Sequence, residues 1–487
     1  MASLGALDLE KRNQFSMIKI DEIRTHASRV SLANTVVEKD YALGWLLWGI
    51  HKHEIAGRNW IFKGGTCLKK CYFETYRFSE DLDFTYRGTE QPTVDSLVKI
   101  MSEISDFIWQ EAGLEIPKSS IDFEIFKNPR GSLSIQGGVK FRGPVRPQVG
   151  LQQMQRIKID LTLDEPLVLD AVIKKVDHPY SDLPLDGISV LSYDYEEVFA
   201  EKIRALAQRL RPRDLYDVIH LHRRQDLRPN QSLVLSTLQK KCTLRGIEIP
   251  TFSSLENHDN RTFLESEWET QLKHQIPVLP NFQSFLSELP DVFSWLSGTE
   301  GVELEVLEPS GDQEEVASTV QESYAKLVSV GGTLSTNMDR IRFAAANRLL
   351  INLEYNGSVR LIEAYSLARS SDGNLLLYAI KHATGEARSY RFDRMQSLKI
   401  TDQSFVPKYL IEITSAGYLP IHQLTRGSAP KASSQRKSSS TLTYIYRCSV
   451  CGKQSRKKKM DSTIGQHKNK SGYPCAGRVG IFLKTSY

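Results

Sequence analysis

Residues 60–84 read WIFKGGTCLKKCYFETYRFSEDLDF. The apolar run Trp60-Ile61-Phe62-Lys63 has the composition of a short strand, Gly64-Gly65 breaks it, and Thr66 to Tyr72 opens a helix. Phe78 to Phe84 then reads as a second strand. Residues two apart on a strand share a face, so Asp81 and Asp83 project together while Leu82 and Phe84 turn to the core. Two carboxylates held side by side repel each other. The pair makes sense where divalent cations sit between them, because Mg²⁺ favours carboxylate oxygens together with substrate phosphates.

Strand, Gly-Gly-Thr, helix and then an Asp-x-Asp strand is a specific combination, and the chemistry it leads one to expect is nucleotidyl transfer from an NTP. There, Mg²⁺ orients the triphosphate and stabilises charge at the α-phosphate. Gly64 and Gly65 let the backbone approach a phosphate, the following helix start presents unpaired N–H groups, and Thr66 adds a hydroxyl. A third carboxylate on a neighbouring strand would complete the metal site. Asp160 is the best candidate, because Ile157 to Leu163 alternates with period two; the same alternation puts Lys158 on the face of Asp160, in reach of phosphates.

Outward from this core, Val36 to His51 and Tyr195 to Leu210 have helical periodicity, and Arg211-Pro212-Arg213-Asp214 restarts a helix with Asp214 suited to its N-cap. Lys202 lies in the Tyr195 helix, whose stripe of Val198, Phe199, Ile203, Leu206 and Leu210 is apolar, and Asp217 lies three residues beyond Asp214. The expected class is α+β. Residues 1–225 form the catalytic domain, 226–297 a helical extension, 298–317 an acidic linker, 318–425 a helix followed by the strands of a small β-barrel, 426–441 a Ser- and Lys-rich linker and 442–487 a basic metal-binding module.

The run FKGGTCLKKCYFETYRFSEDLDF, then IKIDLTLDEP and AEKIRALAQRLRPRDLYDV, resembles the AbiEii/AbiGii family of nucleotidyltransferase toxins in the DNA polymerase β-like superfamily, over roughly residues 14–290. The resemblance implies an NTP- and Mg²⁺-dependent toxin of a toxin–antitoxin or abortive-infection (phage defence) system, with a cognate antitoxin; some relatives modify tRNA acceptor ends. It carries the family's glycine turn onto Gly65-Thr66, its metal pair onto Asp81 and Asp83, its later lysine onto Lys202, and its Arg-Asp-x-Tyr-Asp segment onto Arg213, Asp214, Tyr216 and Asp217. Lys202, as a phosphate contact, and Asp214 join the catalytic set, and Arg213 and Asp217 the nucleotide-positioning set. The family's simple members lack an extension of about 190 residues such as this chain carries. A second reading is a nucleic-acid-binding regulator that keeps the fold without turnover.

In that extension, Cys448-x-x-Cys451 followed by His467 and Cys475 offers three thiolates and an imidazole, a closed tetrahedral set for a structural Zn²⁺. From Gln423 to the C-terminus there are fourteen Lys/Arg and one acidic residue, Asp461, or about +13; the whole chain is +5, so the rest is about −8. Basic residues interleaved with Tyr444, Tyr446 and Tyr473 suit RNA, including tRNA, or another nucleic acid. Asn352 to Ile413 is similar to a WYL domain, a small Sm-like barrel, although Ala364 replaces the usual proline and the Trp-Tyr-Leu triplet is absent. That likeness implies nucleotide or nucleic-acid sensing, with Arg391 and Arg394 as contacts. Six cysteines in 487 residues make no disulfide framework, and no apolar stretch approaches the roughly 18 residues of a membrane span, so a reducing, cytoplasmic location without membrane partners is expected.

Overall fold

The decisive run forms β1 (Trp60–Lys63), a helical turn (Gly64–Cys67) continued by a π-helical turn (Leu68–Tyr72), and β2 (Asp81–Tyr86). The structure, a computed structural model, describes residues 17–73, 76–127, 133–224, 229–299, 304–307, 332–369, 374–413, 443–451, 453–457, 462–468, 474–476 and 479–486. β2 starts three residues later than the hydrophobic pattern suggests, because the Phe78 N–H donates to the Gln275 carbonyl (2.9 Å) in the helical extension instead of to a strand neighbour. With β3 (Asp122–Lys127), β4 (Leu133–Phe141), β5 (Gln155–Thr162), β6 (Val172–Lys175) and β7 (Ser189–Ser192), the two strands build one mixed sheet in the order β3-β4-β5-β2-β1-β7-β6. β2 runs parallel to β5 and β1 to β7; the other neighbours are antiparallel.

Alternation fixes which way this sheet faces. Leu82 and Phe84 of β2 and Ile157, Ile159 and Leu161 of β5 are buried, which turns Asp81, Asp83 and Asp160 to the opposite face. Helices α1 (Ile20–Val30), α2 (Asn34–Lys52) and α3 (Val94–Ala112) contribute to the same core, and α2 is apolar on nearly every side because it is buried along most of its length. α3 begins at a Thr93/Ser96 capping box and stops at Gly113, whose φ of 65° closes the helix in the left-handed region. α4 (Tyr195–Arg209), capped by Asp194, and α5 (Pro212–Arg223) follow β7, then α6 (Gln231–Arg245) and a series of short helices to Leu296.

Beyond these, α7 (Gly332–Ala346) leads into β8 (Leu349–Tyr355), β9 (Ser358–Arg369), β10 (Leu375–Lys381), β11 (Glu386–Arg391) and β12 (Met395–Ser404), an antiparallel sheet in the order β11-β10-β9-β8-β12. Among the described residues its edge strands β11 and β12 are not paired with each other, so the expected barrel is present as a five-stranded sheet. This segment is fastened to α5. Tyr216 Oη donates to Asn347 Oδ1 (3.0 Å), His220 Nε2 lies 3.2 Å from the same oxygen, and Arg223 Nη1 donates to the Ala346 carbonyl (2.8 Å). Arg223 and Arg348 also share Glu288, at 2.6 and 2.7 Å.

Contacts divide the chain into two compact units, Met1–Gln423 and Leu424–Tyr487. The second holds β13 (Thr443–Cys448), β14 (Gln454–Lys457) and β17 (Gly480–Ser486) in the order β14-β13-β17, and a two-stranded pair, β15 (His467–Lys468) and β16 (Pro474–Cys475). The linker expected at 426–441 lies outside the described residues, as does most of that at 298–317. Among the described residues no helix is long and apolar enough to cross a membrane.

Candidate active site

The register brings the carboxylates together. Asp83 is the direct partner of Asp160 across β2 and β5, Asp81 is the partner of Lys158, and on the other side Lys63 is the partner of Asp83. All three aspartates are half-buried and Lys158 is exposed. Burial raises the Asp83 carboxyl above its ordinary range, against the charges of Lys63 and Lys202, and burial together with the negative charges of Asp83 and Asp81 pushes Asp160 up to about 6. A donor set of hard oxygens that repel one another fits a divalent cation.

The glycines of the turn are dictated by this cluster. Gly64 has φ +82°, and a Cβ there would lie 2.2 Å from Asp83 Oδ2; a Cβ on Gly65 would lie 2.6 Å from Arg77 Nη2. Gly64 therefore disfavours a side chain by its backbone conformation as well as by crowding, and a side chain at Gly65 would have to displace the Arg77 guanidinium, whatever else approaches. Thr66 is buried and donates its hydroxyl to the Asp81 carbonyl at 2.5 Å. Its proton, expected at a phosphate, here fastens the turn to β2.

Helices α4 and α5 supply a second layer. Asp217 is fully buried, and its carboxylate accepts from Arg77 Nε and Nη2, both at 2.8 Å, from Lys202 Nζ at 2.6 Å and from the Tyr76 hydroxyl. Burial alone would raise its pKa, but Arg77 and Lys202 hold the carboxyl well below the usual range. The Asp217 carboxylate is thus engaged by Arg77, Lys202 and Tyr76 within the fold. Asp214 is not the N-cap that its position suggests: Arg211 takes that place, Pro212 begins the helix, and Asp214 sits two residues further in. It is buried because Arg209 grips it through Nε (2.6 Å) and Nη2 (2.8 Å), with Lys202 3.8 Å away. Lys202, on a mostly apolar helix, is also buried against these two carboxylates. Arg213 is half-buried, donates to the Gln271 carbonyl (3.3 Å), and has its pKa lowered by burial and by the neighbouring Arg77, with Asp81 acting in the opposite sense.

Sequence reasoning missed three charged residues in this layer. Arg77 falls in an irregular segment whose pattern says nothing of burial. Glu165 follows β5 in a loop. Lys63 did leave a signal, since it ends β1 and its register partner is Asp83, but the pairing of β1 with β2 is not written in either strand alone.

In the second unit, β15 and β16 set His467 directly opposite Cys475. The ligand atoms of Cys448, Cys451, His467 and Cys475 all lie within 4.8 Å of one another, with Cys448 Sγ 3.9 Å from Cys475 Sγ and Cys451 Sγ 3.1 Å from His467 Nε2. His467 Nδ1 lies 2.9 Å from the Gly465 carbonyl, which would hold the proton on that nitrogen and leave Nε2 to face the thiols. The Cys451 backbone N–H leads the influences that bring the Cys448 thiol down to about 6, in the direction a thiolate ligand needs. Of the tail's aromatics, Tyr446 is buried on β13, so it packs instead of offering a face to bases, while Tyr473 lies outside the described residues.

A mixed sheet that gathers three carboxylates on one face, beside a glycine turn and a buried lysine, is the framework of a nucleotidyltransferase. Over residues 45–291, just over half of its length, the chain matches the family described as Nucleotidyl transferase AbiEii toxin, Type IV TA system, and it belongs to that family. It is accordingly a nucleotidyltransferase of the toxin–antitoxin kind, with an NTP as substrate and a cognate antitoxin as partner. Among solved structures it is similar to MenT4, a nucleotidyltransferase toxin from Mycobacterium tuberculosis H37Rv, at 18% identity over 57% of this chain and 90% of that one, with a TM-score of 0.38. No curated protein matches the chain.

Proposed function

We propose that this protein transfers a nucleotide from an Mg²⁺-bound NTP to an RNA acceptor, tRNA being the first to test, as the toxin of a phage-defence system. The observation that carries the reading is the pairing of Asp83 with Asp160 across parallel strands, next to Gly64 and within the influence of Lys202. Asp81, Asp83 and Asp160 would hold Mg²⁺, which when bound supplies neutralising charge at the phosphates. Lys202 contacts a phosphate oxygen, oriented by Asp217 and Asp214. Gly64, Gly65 and Thr66 shape the turn over which the triphosphate lies, while Lys158 and Arg213 flank it.

The domain plan follows the sequence boundaries: catalytic domain, helical extension, WYL-like sheet as a sensor of nucleotide or nucleic acid, and a terminal module in which Cys448, Cys451, His467 and Cys475 hold a structural Zn²⁺. In the sheet, Arg391 is bound by Asp393 (2.7 Å) and Asn374 (3.0 Å), so a ligand there would have to compete for it. A tail of about +13 on a body of about −8 is the part best suited to capture a polyanion.

The test is incubation of purified protein with each α-³²P-labelled NTP, Mg²⁺ and total RNA. Label should enter RNA with wild type and not with Asp83→Asn, which removes a metal-binding charge at nearly constant shape; equal labelling by both would overturn the reading. Deleting 427–487 should weaken RNA binding and flatten its salt dependence, and an unchanged salt slope would assign the tail another partner.

A further inference from the structure

Lys63 occupies a position that the stability of β1 does not explain. Its three predecessors Trp60, Ile61 and Phe62 are buried apolar residues, whereas Lys63, the last residue before the Gly64 turn, is directed by register onto the face that carries Asp83 and Asp160. Its ammonium donates to Thr162 Oγ1 (3.1 Å), two residues beyond Asp160 on β5, and to Glu165 Oε2 (2.5 Å). The side chain keeps 12% of its surface accessible, against 6% for Glu165. An ammonium has three N–H donors, and these contacts engage two.

A counterion for Glu165 is the simplest use of such a lysine; two further cations also reach Glu165, each held more closely by another carboxylate, Arg204 by Glu201 and Lys241 by Glu197. Arg204 Nη2 lies 3.6 Å and Lys241 Nζ 3.8 Å from its other oxygen, Oε1. Lys241 in turn is anchored 2.6 Å from Glu197, whose carboxylate accepts from the Leu169 N–H at 2.8 Å. The network thus fixes Glu165 from behind, and Glu165 with Thr162 fixes Lys63 in front, facing the carboxylates. A cation tethered on the surface where an NTP must meet Asp83 and Asp160, one residue from the glycine turn, is placed for a phosphate.

We propose that Lys63 is a further substrate-contacting residue, its ammonium, tethered by Glu165 and Thr162, meeting a triphosphate oxygen of the bound NTP on the Asp83/Asp160 face. This rests on the nucleotidyl-transfer reading above.

The experiment is calorimetric titration of the full-length protein with each of ATP, CTP, GTP and UTP in Mg²⁺, with melting temperature recorded in parallel. Lys63→Met with Glu165→Gln removes both charges of the tether, so neither is left buried and unpaired. This double variant should melt close to wild type yet bind the preferred NTP roughly ten- to hundredfold more weakly, the loss of one charge-assisted contact. Lys63→Arg should recover much of the affinity. Lys63→Gln, which can keep the hydrogen bonds to Glu165 and Thr162 without the charge, gives the same readout should the double variant fail to fold. Wild-type affinity in the uncharged variants overturns the proposal and makes Lys63 a structural counterion. If wild type binds none of the four NTPs, the nucleotidyl-transfer reading falls and takes the proposal with it. If wild type binds and Asp83→Asn weakens that binding while the Lys63 variants do not, only this inference falls.

Discussion

Changing Asp217 to Asn should expose how much the second layer of the site depends on a single carboxylate. The substitution preserves shape but removes the negative charge shared by Arg77 and Lys202, both of which are buried, and by the Tyr76 hydroxyl. Breaking one buried pair costs about 3–5 kcal/mol because the remaining charge is stranded. Here Arg77 loses its carboxylate partner while Lys202 keeps the more distant Asp214, at 3.8 Å, which places the cost within that range. For a domain of this size that corresponds to a fall in melting temperature of roughly 5–10 °C by calorimetry. Transfer should fall further than stability accounts for, since Lys202 loses its orienting partner, and the loss should appear in kcat at temperatures where the variant is fully folded. A variant that melts within about 1 °C of wild type would refute the assignment of Asp217 as the counterion that organises this layer. A loss confined to KM would instead mean that Asp217 meets the nucleotide itself.

Other outcomes follow from the same geometry. Protein purified without chelator should contain about one zinc per chain, lost when Cys448 and Cys451 are both changed to Ser; metal-free protein with an intact second unit would exclude the site. His26 and His222 are held down to about 4 in the fold, chiefly by burial, against an ordinary 6.5. Because the unfolded chain then binds more protons, stability should be complete above pH ~6.5 and decline as pH falls towards ~4, by up to about 3 kcal/mol per histidine. Melting curves across that window should show the decline, and His222→Gln should make it shallower. Gly64→Ala should impair both folding and transfer, because φ +82° disfavours any side chain and its Cβ would meet the Asp83 carboxylate at 2.2 Å; an alanine variant with normal transfer would remove the turn from the site.

The parts of the molecule legible in the sequence are those encoded locally. β1, β5, α2 and α4 lie within two or three residues of their periodic patterns, and the aspartates on the exposed face of β2 follow from alternation alone. What escaped notice depends on partners distant in the chain. β4 contains Gly137 and Gly138 and β6 has only four residues, so neither announces itself as a strand, yet both are members of the seven-stranded sheet. Asp214 looked like a cap because capping is a local rule, whereas its real partner, Arg209, reaches back across the break between two helices. Gly65 suggested room for a phosphate; the guanidinium of Arg77, twelve positions away, is what fills the space.

Asn347 alters what counts as the enzyme. Its side-chain oxygen is the acceptor for Tyr216 and the neighbour of His220, both buried on the helix that also carries Asp214 and Asp217, and its own amide closes on Phe343 O at 2.9 Å. A chain cut after the matched family region would leave that hydroxyl with no acceptor and lay bare the apolar helix face around it. The catalytic half is therefore closed at α5 by residues that lie beyond the matched family region. Its last wall is built from residues of the extension, so shortening the gene at the family boundary should yield insoluble protein where a simple two-part architecture would yield an active fragment.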